Sequence, residues 1–471
     1  MRQDACLLAM TEQSRLLGLR QLSSVELVQS HLNRIAALDG QLHSYITVAA
    51  VSVLAEAAAS DARRHSGSLR GPLDGLPVAV KDLIDVAGLP TTAGAAHRRD
   101  HVAGVDAPVV GALRAAGAVI LGKTATAEYA VGGTAMDGPY PGPRNPWNLD
   151  LDAGSSSSGS AVAVASGLCA GSVGTETVGS IRVPAAWCGV AGLVPTQALV
   201  SRRGVLALSR TVDCVGPMAR SAADCALMLH AMITDDPADR ATPGFRLPDP
   251  ARIAAPVRGL RVGVPRHVFE QDPDLEGDVR AAFAAGLDQL RDLGCRLSDV
   301  TLAGYDTWAD SARAITWPEE YAEHGPELRA HPDRFGPVTR SRLQDGLRFG
   351  ATDHRRALRQ RKAAIASLLT TLACVDVLVL PTTKAPAPPF GYEHQPGARD
   401  LSYTRPFNLT GTPALALCAG FSSQGLPLSL QIIGRPFDDD LVLSLGVAVE
   451  TALGASASRT PPVSPRPRSL G

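Results

Sequence analysis

The stretch GSSSSGSAVAVASGLCAGSVGTETVGSIRVPA, residues 154–185, places two polar, Gly-containing loops on either side of an apolar run of small residues. By composition alone, GSSSSGS at 154–160 is typical of a flexible linker. Its setting is not that of a linker, because AVAVASGLCAG at 161–171 follows it directly, without a charged or Pro-rich tract. We expect 161–171 to form a helix whose small side chains allow both loops to converge beside it.

Helical and strand patterns alternate along the chain on both sides of this stretch, and Ser23 or Ser24 is a candidate N-cap for the first long helix. Helices are predicted at 23–39, 51–64, 106–117 and 278–294. Strands are predicted at 76–83, 118–124, 260–266, 296–302, 375–382, 413–421 and 427–434. Strands that are apolar on both faces indicate a sheet covered on both sides. The sequence therefore predicts an α/β fold with a large mixed central sheet between layers of helices.

The domain organisation follows from the same pattern. We predict one domain over residues 1–454, with N-terminal helices at about 5–65. The Pro-rich and charged stretch at about 235–256 is either a long surface loop or an internal linker, and the tail 455–471 is expected to be disordered.

Composition excludes several classes of function. The 471 residues carry a net charge of −1 and 19% charged residues, so nothing indicates a nucleic acid or an anionic membrane as a partner. No apolar run reaches the length of a membrane span, and the eight cysteines form no C-x-x-C pair. We therefore expect a cytoplasmic protein with free thiols, and a homodimer remains open.

Common catalytic motifs are missing from the sequence. There is no P-loop, no dinucleotide-binding G-x-G-x-x-G after a strand, no H-E-x-x-H and no G-x-S-x-G. We accordingly expect neither a metal nor an organic cofactor. A hydrolase with this sequence needs another way to activate its nucleophile.

Lys81 follows the apolar residues of the strand predicted at 76–83. A lysine at a strand end is usually solvated, but the strand that leads to Lys81 has the apolar pattern of a buried strand. Burial lowers the pKa of a lysine, and neutrality near pH 7 requires a pKa about three below the ordinary value of about 10.4. Lys81 is therefore a candidate base.

The second loop contains Thr177, Val178, Gly179 and Ser180. Consecutive backbone N–H groups in such a turn can point at one place and form an oxyanion hole. Each of the two loops, taken alone, is also compatible with an ordinary tight turn.

Taken together, the two loops resemble the amidase signature family, whose hallmark is a GGSSGGS-like loop, an apolar segment and G-[ST]-[DE]-T-x-G-S-I-R-x-P-A. Further similar segments extend the resemblance from about residue 23 to 445. They are GPLDGLPVAVKDLIDVAGLPTTAG, RNPWN, LVPTQALVSRRGVLALSRTVDCVGPMAR, PFNLTGTPALAL and GLPLSLQIIGRPFD. The resemblance implies the amidase signature fold, with a Ser–cis-Ser–Lys triad that acts through an acyl-enzyme.

Matched residue by residue, the resemblance implies Ser180 as the nucleophile, Ser156 as the bridging serine and Lys81 as the base. It also implies oxyanion or substrate-binding roles for residues of both loops, namely Ser157, Thr177, Val178 and Gly179.

Three residues depart from the family pattern. Ser155 and Ser158 stand where glycines flank the family's serine pair, so the loop either has ordinary backbone angles or is slightly altered. Val178 occupies a position that is often glycine, and we expect its side chain to restrict the acyl group.

The predicted function is hydrolysis of a small or medium carboxamide to a carboxylate and ammonia or an amine. The alternative is the glutaminase A subunit of a tRNA-dependent amidotransferase, which belongs to the same family. Ester hydrolysis, acyl transfer and a non-catalytic scaffold are also compatible with the fold, although retention of the lysine and both serines argues against a scaffold.

Overall fold

The computed structural model describes residues 5–134, 138–233, 236–239, 253, 255–392, 401–454 and 459–464. One eleven-stranded sheet runs through them. Its strands are β1 (Tyr45–Val48), β2 (Pro77–Lys81), β3 (Val119–Thr124), β4 (Gly171–Glu176), β5 (Ala191–Val194), β6 (Cys214–Ala219), β7 (Arg261–Val264), β8 (Arg296–Asp299), β9 (Val377–Pro381), β10 (Ala414–Phe421) and β11 (Pro427–Ile433).

The sheet is mixed, and its spatial order is β1-β3-β2-β4-β6-β5-β10-β11-β9-β7-β8. Strands β3, β2 and β4 are mutually parallel, as are β9, β7 and β8. The remaining neighbours pair antiparallel. Because β2 and β4 run parallel side by side, Lys81 and Glu176 at their carboxyl ends lie at the same edge of the sheet.

Helices pack against this sheet. Those of the described residues are α1 (Met10–Gly18), α2 (Ser24–Leu42), α3 (Ala50–Ser66), α4 (Pro108–Ala115), α5 (Ser158–Ala165), α6 (Arg182–Cys188), α7 (Ala222–Met232), α8 (Arg266–Phe269), α9 (Gly277–Asp292), α10 (Trp308–Ala330), α11 (Pro337–Asp345), α12 (Ala351–Cys374), α13 (Arg405–Thr410) and α14 (Asp439–Leu453). The predicted α/β class and the large mixed sheet are confirmed. None of these helices is both long and apolar enough to cross a membrane.

The N-cap prediction is confirmed at Ser23. Its hydroxyl accepts a hydrogen bond from the Glu26 N–H, and the Glu26 side chain accepts one from the Ser23 N–H. This reciprocal capping box satisfies two backbone donors that would otherwise be unpaired at the start of α2.

The helix predicted at 161–171 was wrong in its bounds. Helix α5 starts at Ser158, inside the polar loop, and ends at Ala165. Gly167 adopts φ +72°, a left-handed conformation that terminates the helix. The chain then turns into β4 at Gly171, so the residues after the turn belong to the sheet.

Two further predictions fall partly outside the described residues. Of the stretch at about 235–256, only 236–239, 253, 255 and 256 are described, and of the tail 455–471 only 459–464 are.

Strand β8 ends at Asp299, three residues before the predicted strand end.

Three glycines bring α6 unusually close to the sheet. Cβ atoms added to Gly174, Gly192 and Gly216, from the neighbouring strands β4, β5 and β6, would stand 3.1, 2.9 and 3.1 Å from side-chain carbons of Ile181. The side chain of Ile181 therefore rests on bare backbone, a surface we call the glycine floor. Since Ile181 follows Ser180 directly, the glycine floor sets the height of Ser180 above the sheet.

Gly192→Ala tests the glycine floor. The new Cβ would also stand 2.7 Å from the Cβ of Ala185 in α6, so the helix has to move away from the sheet. We expect a loss of about 1–3 kcal/mol in the free energy of unfolding, measured by urea denaturation.

Gly40→Ala is the matched control, because Gly40 lies within α2 and a Cβ there meets nothing within 4 Å. Alanine favours the helix, so this variant should be as stable as the parent or more so. Equal stability of the Gly192→Ala variant and the parent would contradict the close-packing argument.

Candidate active site

The side-chain nitrogen of Lys81 is buried and lies among hydroxyl groups. Lys81 ends β2 and is fully buried. Its Nζ lies 2.8 Å from Ser156 Oγ, 2.9 Å from Ser157 Oγ and 2.8 Å from Thr175 Oγ1. The structure thus brings the GSSSSGS loop and the carboxyl ends of β2 and β4 together at one nitrogen atom.

The acid next to Lys81 in sequence pairs with a different lysine. Asp82 Oδ1 lies 3.0 Å from Lys123 Nζ, and both side chains are fully buried. Asp82 also accepts a hydrogen bond from the Thr92 N–H at 3.0 Å. Burial raises the pKa of Asp82 and lowers the pKa of Lys123. This ion pair stands beside the Lys81 site and fixes the end of β2 against β3.

The GSSSSGS loop is tightly packed. The peptide bond between Ser155 and Ser156 is cis. Gly154 adopts φ +79°, and a Cβ there would stand 2.7 Å from the Cα of Pro184. Ser155 and Ser158 both lie outside the positive-φ region, so serine carries no left-handed backbone penalty at either position. Ordinary backbone angles, one of the two expected explanations, account for both departures from glycine.

The second loop is held by a fully buried ion pair. The carboxylate of Glu176 accepts hydrogen bonds from the N–H groups of Ile181 (2.8 Å) and Arg182 (2.9 Å). Arg182 Nε donates to the same carboxylate at 2.8 Å, and both side chains are 0% exposed. The carboxylate therefore closes the segment between them into a loop, with Ser180 inside it.

Arg182 also ties this loop to the second half of the chain. Its guanidinium donates to the Thr404 carbonyl at 2.8 Å, to Asn408 Oδ1 at 2.6 Å and to Gln431 Oε1 at 2.7 Å. A buried arginine with all these acceptors is well compensated for its loss of hydration. The contacts place α13 and β11 directly beside the loop.

The peptide groups around Ser180 have a consistent orientation. The carbonyl of Val178 accepts from Thr404 Oγ1 (2.8 Å), and the carbonyl of Gly179 accepts from the Val183 N–H (2.8 Å). In a trans peptide the next N–H points away from the carbonyl. The N–H groups of Gly179 and Ser180 are therefore directed away from these partners.

Gly179 has a conformation that other residues rarely adopt. Its φ is +151°, and a Cβ would stand 2.7 Å from Thr404 Oγ1. Both the angle and the close approach of Thr404 require glycine here.

The side chain of Thr177 is held by a hydrogen bond to Asp213. The Thr177 hydroxyl donates to Asp213 Oδ1 at 2.6 Å, and the N–H groups of Leu208 and Ser209 donate to Oδ2. Burial raises the pKa of Asp213 to about 6. The carboxylate joins the loop that carries Thr177, directly after β4, to the segment before β6.

Ser180 lies at the wall of a cavity of about 580 Å³. Ser180 is 5% exposed, and its backbone carbonyl accepts a hydrogen bond from the Ser157 N–H at 3.1 Å. Thr177 and Val178 line the cavity beside it. Other parts of the wall come from α10, α11 and the segment around α13, namely Arg313, Trp317, Glu320, Arg342, Leu401 and Arg405.

The sequence-predicted residues thus meet in one region. Lys81 and Ser156 are in direct contact, and Ser180 is joined to the same loop through the backbone of Ser157. Among the described contacts, no hydrogen bond joins the hydroxyls of Ser156 and Ser180. Catalytic hydrogen bonds are often long in substrate-free enzymes and shorten when substrate binds.

Sequence reasoning missed two elements of the site. One is Thr175, whose hydroxyl and carbonyl both contact Lys81 Nζ. The other is the Glu176–Arg182 pair. The signal for the pair was a glutamate and an arginine within an otherwise uncharged segment, since such charges are buried only when they are paired.

Known proteins share this chain's sequence and fold. The Amidase family model matches residues 26–443. A putative amidase, AmiD, of Mycobacterium tuberculosis strain H37Rv is 38% identical over 460 residues, covering 96% of each chain. The A subunit of the glutamyl-tRNA(Gln) amidotransferase of a Roseiflexus species, strain RS-1, is 38% identical over 461 residues, covering 91% of this chain and 93% of its own.

Among solved structures, native peptide amidase from Stenotrophomonas maltophilia superimposes with a TM-score of 0.82 at 30% identity, covering 97% of this chain and 98% of its own. These similarities identify a hydrolase that acts on carbon–nitrogen bonds. The chain belongs to the amidase signature family, as the sequence motifs predicted.

Glu176→Gln tests the buried ion pair. The substitution keeps the shape of the side chain but leaves the Arg182 guanidinium without its carboxylate, which should cost about 3–5 kcal/mol of the free energy of unfolding. Urea denaturation followed by circular dichroism measures the change. Asp288→Asn is the control, because it breaks an exposed pair with Arg291 and should change stability little. Equal effects of the two substitutions would contradict the importance of the buried pair.

Proposed function

We propose that this protein hydrolyses a small or medium carboxamide to a carboxylate and ammonia or an amine, with Ser180 as nucleophile, Ser156 as bridging acid and base, and Lys81 as the terminal base. The observation that carries the proposal is the 2.8 Å contact between the buried Lys81 Nζ and Ser156 Oγ, beside a cavity that Ser180 lines. A serine hydroxyl becomes a nucleophile only when a base is positioned to take its proton.

In the first half of the reaction, neutral Lys81 takes a proton from Ser156 while Ser156 takes the proton of Ser180. The oxygen of Ser180 attacks the amide carbonyl and forms a tetrahedral adduct. Ser156 then donates a proton to the leaving nitrogen and regains one from protonated Lys81, the C–N bond breaks, and an acyl-enzyme remains on Ser180 with Lys81 neutral again.

In the second half, water replaces the amine. The same groups take a proton from the water as its oxygen attacks the ester carbonyl of the acyl-enzyme. The C–O bond to Ser180 breaks, Ser180 regains its proton, and the carboxylate leaves. The net reaction consumes one water and needs neither a metal nor an organic cofactor.

The developing oxyanion is stabilised by backbone N–H groups of the Thr177–Ser180 turn. The carbonyl orientations of Val178 and Gly179 support this role for the N–H groups of Gly179 and Ser180. Fixed donors of this kind commonly contribute about 10²–10³-fold in rate each.

Ser157 and Thr175 have a positioning role in this scheme. Their hydroxyls hold Lys81 Nζ at 2.9 and 2.8 Å, while the Ser157 hydroxyl is itself directed to the Thr175 carbonyl at 3.1 Å. The two residues therefore orient the lysine toward Ser156 and provide it with polar neighbours in a buried place.

A second candidate function is the glutaminase component of a tRNA-dependent amidotransferase, supported by the 38% identity to the Roseiflexus protein. From its sequence we expect the segment 339–361 to be closer to stand-alone amidases than to that component, which is our reason for placing the first candidate ahead. Glutamine hydrolysis that requires added partner proteins would favour the second candidate. Turnover of other carboxamides by the chain alone would favour the first.

The test is ammonia release from a panel of carboxamides, glutamine included. Ser180→Ala and Lys81→Ala should each lower kcat/KM by at least about 10³-fold, because the triad acts as a unit. Circular dichroism should show that both variants remain folded. Turnover that survives in Ser180→Ala would overturn the assignment.

Val178→Gly tests the restriction of the acyl group. Val178 lines the cavity next to Ser180, so removing its side chain should raise kcat/KM for branched acyl amides by about tenfold relative to acetamide. Val105→Gly, at a 75% exposed position, is the control and should leave the ratio unchanged. An unaltered substrate profile in Val178→Gly would contradict the hypothesis.

A further inference from the structure

The cavity at Ser180 has a charge that the reaction itself does not require. Among the residues that the structure describes, its wall includes three arginines, Arg313, Arg342 and Arg405, and one acid, Glu320. Cleaving a neutral amide by the proposed mechanism needs no fixed cation in the cavity wall. The excess of guanidinium groups around Ser180 therefore indicates which substrate charge the cavity accepts.

Helix α10 contributes one face to this wall. Arg313, Trp317 and Glu320 are spaced i, i+4 and i+7, which places them on the same side of a helix. Arg342 comes from α11, the helix that follows α10 in the chain after a short connection. The charged part of the wall is thus built by two consecutive helices.

The charge of Arg342 is only partly compensated. Its nearest acid is Asp345, at 3.8 Å, which is too long for a hydrogen bond. Asp345 makes its closer contact, 2.9 Å, with Arg348. Arg342 is 41% exposed, so a ligand in the cavity can reach its donors.

Arg313 is also accessible. Its partner Asp310 is 78% exposed and lies one helical turn away on the same helix. Exposed pairs of this kind are weak, because both groups remain hydrated and salt screens them. An incoming carboxylate can therefore compete for the Arg313 guanidinium.

We propose that the cavity selects carboxamides that carry a carboxylate at the end remote from the reacting amide, and that Arg342 and Arg313 bind that carboxylate. The inference rests on the proposed function and names its substrate class. A guanidinium matches a carboxylate with two parallel N–H···O bonds, which fixes orientation as well as adding affinity. Such binding would hold the amide end at Ser180 in one direction.

The first experiment compares amides of similar size and different charge. Ammonia release is measured with succinamate (negative), pentanamide (neutral) and 4-aminobutanamide (positive). We expect kcat/KM for succinamate to exceed that for pentanamide by at least about tenfold, and the advantage to shrink as salt is added. Equal or higher kcat/KM for the neutral amide would overturn the proposal, and so would preference for the cation, which would make Glu320 the dominant charge.

The second experiment assigns the preference to a residue. Arg342→Gln should lower the ratio of kcat/KM for succinamate over pentanamide by about 10–100-fold, the usual effect of losing a charged hydrogen bond. Arg348→Gln is the matched control, because Arg348 contacts the same Asp345 and is 74% exposed. An equal fall in the ratio for both variants would reduce the effect to long-range charge and overturn the assignment to Arg342.

Binding separates this inference from the proposed function. Succinamate binding to Ser180→Ala, measured by calorimetry, does not depend on turnover. Binding that Arg342→Gln weakens in the Ser180→Ala background supports the carboxylate site even where the catalytic assignment fails. Succinamate binding to Ser180→Ala that is no tighter than pentanamide binding overturns the carboxylate site. Turnover that persists in Ser180→Ala counts against the proposed function alone.

Discussion

The buried pair of Glu176 and Arg182 is the interaction on which the geometry of the site depends. Two charges removed from water are tolerable only when nearly every lone pair and proton is used. Glu176 meets that condition by accepting from two backbone N–H groups as well as from the guanidinium. Arg182 meets it by reaching Thr404, Asn408 and Gln431. One ion pair therefore shapes the loop around Ser180 and also aligns that loop with distant segments of the chain.

The parts of the site that are local in sequence could be predicted. The candidates Lys81, Ser156 and Ser180 could be named because each lies in a short motif, and the structure places Lys81 and Ser156 in direct contact. The strand before Lys81 was readable from its apolar residues, although β2 ends at Lys81, two residues before the predicted end. The helix at 161–171 failed, because periodicity did not show that Gly167 would turn the chain into a strand.

The parts that depend on packing could not be predicted. Thr175 contacts Lys81 because β2 and β4 are parallel neighbours in register, which no local pattern specifies. Arg313, Trp317 and Glu320 have visible helical spacing, but the choice of the face that meets the cavity is made by the packing of α10. Cavities are formed between elements, so their charge becomes readable only once those elements are in place.

The glycine floor has a consequence for how such an enzyme diverges. Ile181 packs against the main chain of three central strands, and Ser180 precedes it directly. The position of main-chain atoms depends little on which side chains the neighbouring residues carry. Helices α10 and α11, by contrast, contribute residues with large side chains to the cavity wall. Substitutions can accumulate on those helices and alter what enters the cavity while the Ser180 hydroxyl keeps its distance from the sheet. The fold thereby allows substrate preference to change in evolution without a change in the position of Ser180.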